Sequence, residues 1–277
     1  MPGPQTNSGY VDIDQGRMYY ETSGSGTPLI LVHAGVADSQ QWDQEFSHYS
    51  QNYQVIRCDL RGYGKSGTTR GPVNHLEDLS TLIRELDIHS PMIFMGCSMG
   101  GVLSMDYALK NPEDIKALII VGPGMCGLEL DVVEPEEFSK AKKAFEEGDL
   151  SLLTEIETQI WFDSPDQMPE HVDCSMRALL YEMQRSVIGR ELNKMGKREP
   201  KKGPPPFERL DEIDFPVLII VGSYDLPYMH AAADYMVEHI RFAQKEIIED
   251  AAHLPHLDQP NRFQDIVDNF LLEMVIG

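Results

Sequence analysis

Basic residues are scarce in this chain of 277 residues: 23 lysines and arginines stand against 45 aspartates and glutamates, a formal net charge of −22. Binding along a phosphate backbone needs clustered Lys and Arg, so no nucleic-acid partner is expected, and an anionic membrane surface is disfavoured for the same reason. Long apolar runs are also missing. Ala117–Val121 and Val217–Val221 are strand-sized, far short of the ~18 apolar residues a membrane helix needs. The first nine residues show neither the basic nor the apolar part of a secretory signal. Cysteine is sparse: Cys58, Cys97, Cys126 and Cys174 lie 39, 29 and 48 positions apart, which fits neither a CxxC metal pattern nor a disulfide framework. Reduced thiols and a cytoplasmic setting are the expectation. Neither an HExxH motif nor a paired-cysteine ligand set occurs, so no metal and no cofactor is expected.

What is present is ordinary globular material, 42% hydrophobic and 25% charged. At this length roughly three-quarters of the unfolded surface can be buried, so a large core needs no covalent staple. Tyr10–Asp14 and Arg17–Thr22 read as a hairpin around a Gln15-Gly16 turn. Thereafter short runs alternate with amphipathic stretches: Pro28–Val32, Tyr53–Cys58, Met92–Met95, Lys116–Val121, Pro216–Val221 and Ala243–Ile248. A strand buried on both faces must be apolar throughout, so these runs suit a parallel sheet covered by helices. Helical spacing is expected at 40–50, 73–87, 99–110, 228–240 and 261–274. The rhythm predicts an α/β class, a mostly parallel doubly wound sheet with antiparallel strands added at the amino-terminal edge.

One segment breaks the rhythm. Residues 126–210 hold helical patterns at 134–147, 149–162 and 169–195 and end in a proline-rich linker. We expect a helical cap there, inserted between two strands of a core formed by 1–125 and 211–277. Its charge is split: 129–173 hold 14 acids and 3 bases, 177–209 hold 4 acids and 9 bases, as two solvated and mutually attractive faces would.

The strongest chemical signal is Gly96-Cys97-Ser98-Met99-Gly100, a G-x-S-x-G that directly follows an apolar run and directly precedes a helical one. That strand–turn–helix context marks a nucleophile elbow, whose sharp turn requires small residues two positions either side of the serine. Gly101 would further let the helix approach the sheet. A serine needs a base, and the base an orienting acid. In a sheet of this kind both belong on loops at the carboxyl ends of later strands, where Asp225 and His253 stand. Glu129 or Asp131, after the earlier strand, remains an alternative acid. His256 is read as a surface or cap-facing histidine. His33 is read as structural and Cys97 as a small buried thiol. Gly64-Lys65-Ser66 fails as a phosphate loop, because Asp59 stands where the motif needs its first glycine.

With these residues in place the chain resembles the α/β-hydrolase superfamily, from about Tyr10 to Phe270. The resemblance rests on His33-Ala34-Gly35-Val36 with Trp42 downstream, Asp59-Leu60-Arg61-Gly62-Tyr63-Gly64-Lys65-Ser66, the Ser98 elbow, Gly222-Ser223-Tyr224-Asp225, and Ala252-His253 followed by Pro260. It implies a Ser98–His253–Asp225 triad and an oxyanion hole built from the Gly35 and Met99 backbone N–H groups. Ala34 departs from the His-Gly usual there. Trp161, Phe162, Met125 and Leu226 are candidate pocket walls.

The expected activity is hydrolysis of a small to medium carboxylic ester, thioester or lactone through an acyl-enzyme. The partner is then a small ester-like molecule; the oligomeric state is left open. Two alternatives keep the same fold: a C–C bond hydrolase, or a slow-turnover ligand receptor or signalling protein.

Overall fold

The computed structural model describes residues 4–67, 71–89, 91–124, 128–165, 174–195, 199 and 203–276. Strands β1 (Asn7–Ile13), β2 (Gly16–Ser23), β3 (Pro28–Val32), β4 (Gln54–Cys58), β5 (Met92–Cys97), β6 (Ile115–Val121), β7 (Val217–Gly222) and β8 (Ala243–Ile248) form one sheet. Their order is β1-β2-β4-β3-β5-β6-β7-β8. The β1–β2 and β2–β4 pairs are antiparallel and the rest parallel, so the amino-terminal hairpin extends one edge as expected.

Strands β3, β5 and β7 are buried along their whole length, which accounts for their unbroken apolar runs. Strand β8 differs, with Gln244, Lys245 and Glu246 leaving it partly exposed at the opposite edge. Side chains alternate faces along each strand. Ile30, Val32, Phe94, Leu118 and Ile120 join one core cluster with α2 (His75–Glu85), α3 (Met99–Lys110) and α7 (Pro227–His239). Leu29, Leu31, Ile93, Met95 and Ile119 join a second with α1 (Asp43–Tyr49) and α9 (Pro260–Ile276). The sheet is doubly wound.

The hairpin turn lies one residue earlier than expected. Ile13 pairs with Gly16, so Asp14 and Gln15 form the loop, and Gln15 takes the left-handed φ of 57°. The register that sets Val11 opposite Met18 buries both, and this fixes the turn. The expected helix at 40–50 also splits. A 3-10 turn at Ser39–Trp42, capped by the Asp38 carboxylate accepting the Gln40 N–H, leads into α1.

Between β6 and β7 the described residues hold α4 (Glu136–Glu147), α5 (Leu150–Thr158), a π turn at Gln159–Asp163, α6 (Cys174–Leu192) and no strand. The acidic and basic halves of the segment meet where Arg177 on α6 binds Asp163 and Glu155, each at 2.7 Å. The chain returns through a 3-10 turn at Pro206–Glu212, where Arg209 donates to the Leu109 carbonyl at 3.2 Å. Among the described residues no helix is long and apolar enough to cross a membrane.

Candidate active site

Ser98 sits between β5 and α3 with φ 51° and ψ −115°, a left-handed conformation that costs a non-glycine residue ~1–3 kcal/mol. Close packing holds it there. A Cβ on Gly96 would lie 2.4 Å from the Gly100 carbonyl oxygen, and one on Gly100 would lie 2.2 Å from the Val32 oxygen. Gly101 packs on Ile120, where an added Cβ would stand at 3.1 Å. The glycines are therefore required by contact, as the motif predicts. The Ser98 N–H is tied to the Val121 carbonyl at 2.8 Å.

Asp225 follows β7 and His253 follows β8. His253 Nδ1 lies 3.0 Å from each Asp225 carboxylate oxygen, and both side chains are withdrawn from solvent. An ionised carboxylate only accepts, so Nδ1 carries the proton and Nε2 is left as the acceptor. The Leu226 N–H fixes Asp225 Oδ1 at 2.8 Å. His253 Nε2 is buried and makes no hydrogen bond among the described residues; in unliganded sites the bond to the nucleophile is often long. Two glycines after β6 shape the space around these groups. Gly122, at φ 54°, would carry a Cβ 2.8 Å from the His253 ring, and one on Gly124 would lie 3.8 Å from Ser98 Oγ. This Gly-Pro-Gly at a strand end was the available signal, and the sequence reading passed over it.

The two residues expected to supply an oxyanion hole stand at two strand ends. Met99 opens α3, where first-turn N–H groups have no intrahelical partner. Gly35 follows β3, the neighbour of β5, and is half-buried; it does not line the cavity as it stands. His33 accepts the Leu60 N–H on Nε2 at 3.0 Å, so its Nδ1–H donates to the Ala34 carbonyl at 2.7 Å. The ring thus ties the loop after β3 to the one after β4. Neither Ala34 nor Gly35 takes a left-handed φ.

From Ser98 and Met99 a cavity of about 1360 Å³ runs along α3 past Val102 and Leu103, walled by Leu128, Phe138, Trp161, Leu226 and Met229. Trp161 and Leu226, two of the candidate walls, line this cavity. The Trp161 ring also covers His253, with centroids 4.9 Å apart, and its indole N–H is anchored on Glu157 at 2.8 Å. Phe162 does not line the cavity: the next position of the π turn points into the second core cluster, with Leu180 and Met183. Met125, like Cys126, lies outside the described residues.

The remaining candidates separate cleanly. Glu129 and Asp131 are exposed, whereas Asp225 holds the imidazole. Cys97 is buried, and burial, then the Asp225 charge, pushes its thiol well up, so it is inert. The Asp59 carboxylate accepts the Lys65 N–H at 2.7 Å and the Ser39 N–H at 2.9 Å, so this turn is built around an anion of its own. His256 corrects the sequence reading. It is fully buried, stacked on Trp42 with centroids 4.3 Å apart, and burial pushes its pKa down to about 3. It lies on α8 (Pro255–Asp258), packed between Trp42 and Phe263, and Asp258 on the same helix accepts the Ala252 N–H at 2.8 Å. Burial, aided by the Asp163 and Asp225 charges, raises the Asp258 pKa to about 6 against that hydrogen bond.

A strained serine elbow and a buried Asp–His pair at the carboxyl edge of a doubly wound sheet point to one class of protein. The chain belongs to the alpha/beta hydrolase fold family, whose profile matches residues 27–260. It is similar to 3-oxoadipate enol-lactonase 2 of Acinetobacter baylyi, 27% identical over 245 residues that cover 87% of this chain and 86% of the relative. A 2-hydroxy-6-oxononadienedioate/2-hydroxy-6-oxononatrienedioate hydrolase of Escherichia coli K12 is 25% identical over 293 residues, 97% and 98% of the two chains. Bromoperoxidase from Bacillus anthracis has the same fold, with a TM-score of 0.79 at 21% identity over 96% of this chain and 99% of its own.

Proposed function

We propose that the chain is a serine hydrolase of carboxylic esters, with Ser98 as nucleophile, His253 as general base and Asp225 as the acid that orients it. The observation that carries this is the buried Asp225–His253 pair with an unbonded Nε2, in the same sheet whose β5–α3 turn holds a strained serine. Ser98 Oγ attacks the ester carbonyl while His253 Nε2 takes its proton. The Gly35 and Met99 N–H groups receive the oxyanion, a contribution of roughly 10²–10³ in rate per donor in comparable sites. Collapse expels the alkoxide, which takes the proton from His253, and water then repeats the sequence to free the acid.

Residues 126–210 act in this reading as a cap that lays Trp161 over His253. The apolar stretch of the cavity along α3 receives the hydrocarbon part of a small to medium ester. A relative named an enol-lactonase favours including lactones, which are internal esters; cleavage of a C–C bond beside a carbonyl would call on the same serine.

The test is multiple turnover on a panel of p-nitrophenyl esters, thioesters and lactones, with Ser98→Ala alongside. Ser98→Ala should lose essentially all turnover, with losses near 10⁶ known for such a change in another serine hydrolase. A fluorophosphonate should label Ser98 and not Cys97. More than a few per cent residual kcat in Ser98→Ala would remove the nucleophile, and the absence of turnover in the intact protein would favour a ligand receptor.

A further inference from the structure

Ala34 presents a problem for the proposed oxyanion loop. It occupies a position where the resemblance leads one to expect glycine, it is fully buried, and the Gly35 N–H that must meet the oxyanion belongs to its peptide unit. A peptide is planar and trans, so this N–H points opposite the Ala34 carbonyl. That carbonyl is held twice, by the His33 Nδ1–H at 2.7 Å and by the Ala37 N–H at 3.3 Å. The other side of the residue is held by a side chain from a different turn. Gln41 Oε1 accepts the Ala34 N–H at 2.9 Å, within the buried interior.

Gln41 is itself firmly placed. It is buried in the Ser39–Trp42 turn that Asp38 caps. Its backbone carbonyl lies against the His256 ring, and its neighbour Trp42 stacks on that same ring. Its side-chain NH₂ is buried with no hydrogen-bond partner among the described residues, so the bond from the Ala34 N–H is the one its amide makes. One side chain thus meets the oxyanion loop, and its turn packs against His256 on the helix that follows His253. A glutamine buried with its NH₂ unbonded is costly, which marks the Oε1 bond to the Ala34 N–H as the reason for its place.

We propose that Gln41 is a positioning residue for the oxyanion hole, fixing the Ala34–Gly35 peptide so that the Gly35 N–H is held ready for the developing oxyanion. It never touches substrate. With Ala34 pinned at its N–H and its carbonyl, both torsions of that residue are set, and the pin replaces the conformational choice a glycine would leave open. The inference rests on the serine-hydrolase reading above.

The test compares Gln41→Met, which keeps length and removes the acceptor, with Gln41→Glu, which keeps an acceptor oxygen. Each is measured for kcat, KM, melting temperature and affinity for a trifluoromethyl ketone, which forms an oxyanion on the serine. Misplacing one donor predicts a kcat about 10- to 100-fold lower for Gln41→Met, with ketone affinity falling by a similar factor. KM should change less than twofold, and Gln41→Glu should recover most of the loss. Gln41→Asn, too short to reach Ala34, should behave as Met and serves if the Met variant does not fold. A kcat within twofold of wild type in the folded variants, or a kcat loss without loss of ketone affinity, overturns the proposal. Ser98→Ala separates the two layers. If it is inactive while Gln41→Met is normal, only the positioning role falls; if it stays active, both fall.

Discussion

Replacing Asp225 by asparagine removes a charge and weakens the hold on the imidazole tautomer. The Leu226 N–H donates to one carboxylate oxygen at 2.8 Å, so an asparagine would turn its carbonyl to that donor. Its amide NH₂ would then take the place of the other oxygen, 3.0 Å from His253 Nδ1, leaving the Nδ1–H only the one oxygen already shared with Leu226. The amide donor favours the tautomer with its proton on Nε2, which has no lone pair there for the Ser98 proton of the proposed mechanism. An equivalent tautomer reversal in a serine protease lowers kcat about 10⁴-fold, which is about 5.4 kcal/mol of barrier at about 1.36 kcal/mol per tenfold. Volume and hydrogen-bond count are nearly unchanged, so the variant should fold. The assay is kcat on the best p-nitrophenyl ester near neutral pH, with Glu129→Gln as control for the alternative acid. Glu129 is exposed and its variant should keep most activity. A loss below tenfold for Asp225→Asn, or a larger loss for Glu129→Gln, would show that the imidazole is oriented by another group.

Two further outcomes follow from buried groups. His256→Ala removes a fully buried ring from between Trp42 and Phe263; it should lower stability by about 2–4 kcal/mol in denaturant unfolding, and an unchanged midpoint would refute this. Glu45 is buried with neither oxygen hydrogen-bonded, and burial raises its pKa to about 8. The folded state therefore binds a proton that the unfolded state releases above pH 4.5, so this contribution to stability is full below pH 4.5 and is lost as pH rises to 8. Glu45→Gln should remove up to about 1.4 kcal/mol per pH unit from the slope of stability across that window, and an unchanged slope would refute the assignment.

The strands were legible because burial on both faces leaves little room for polar residues, and β3, β5, β6 and β7 lie within a residue or two of their expected bounds. The elbow was legible for a related reason: contact distances force glycine at 96 and 100, and a contact requirement leaves its mark in sequence. His256 was not legible. The position after β8 marks His253 as the one to meet Asp225, but the burial of His256 rests on a partner far away in sequence, Trp42. Gln41 was hidden in the same way, since its partner is a backbone N–H seven positions away.

The pocket wall shows the limit most sharply. Trp161 and Phe162 are adjacent, equally apolar and at the end of one helical pattern, so a wheel of 3.6 residues per turn gives no firm reason to choose between them. The choice is made by the π turn at Gln159–Asp163, whose wider winding shifts the phase of every side chain on it. Phe162 goes into the second core cluster and Trp161 goes over His253. A trace of this is present in sequence after all. An indole at a half-buried position needs an acceptor for its N–H, and Glu157 stands four residues earlier, where its carboxylate accepts that N–H and a Gln184 amide N–H as well. Phe162 has no polar atom to satisfy and so can be buried without a partner. Acceptor placement, which periodicity ignores, separates two residues that periodicity treats alike.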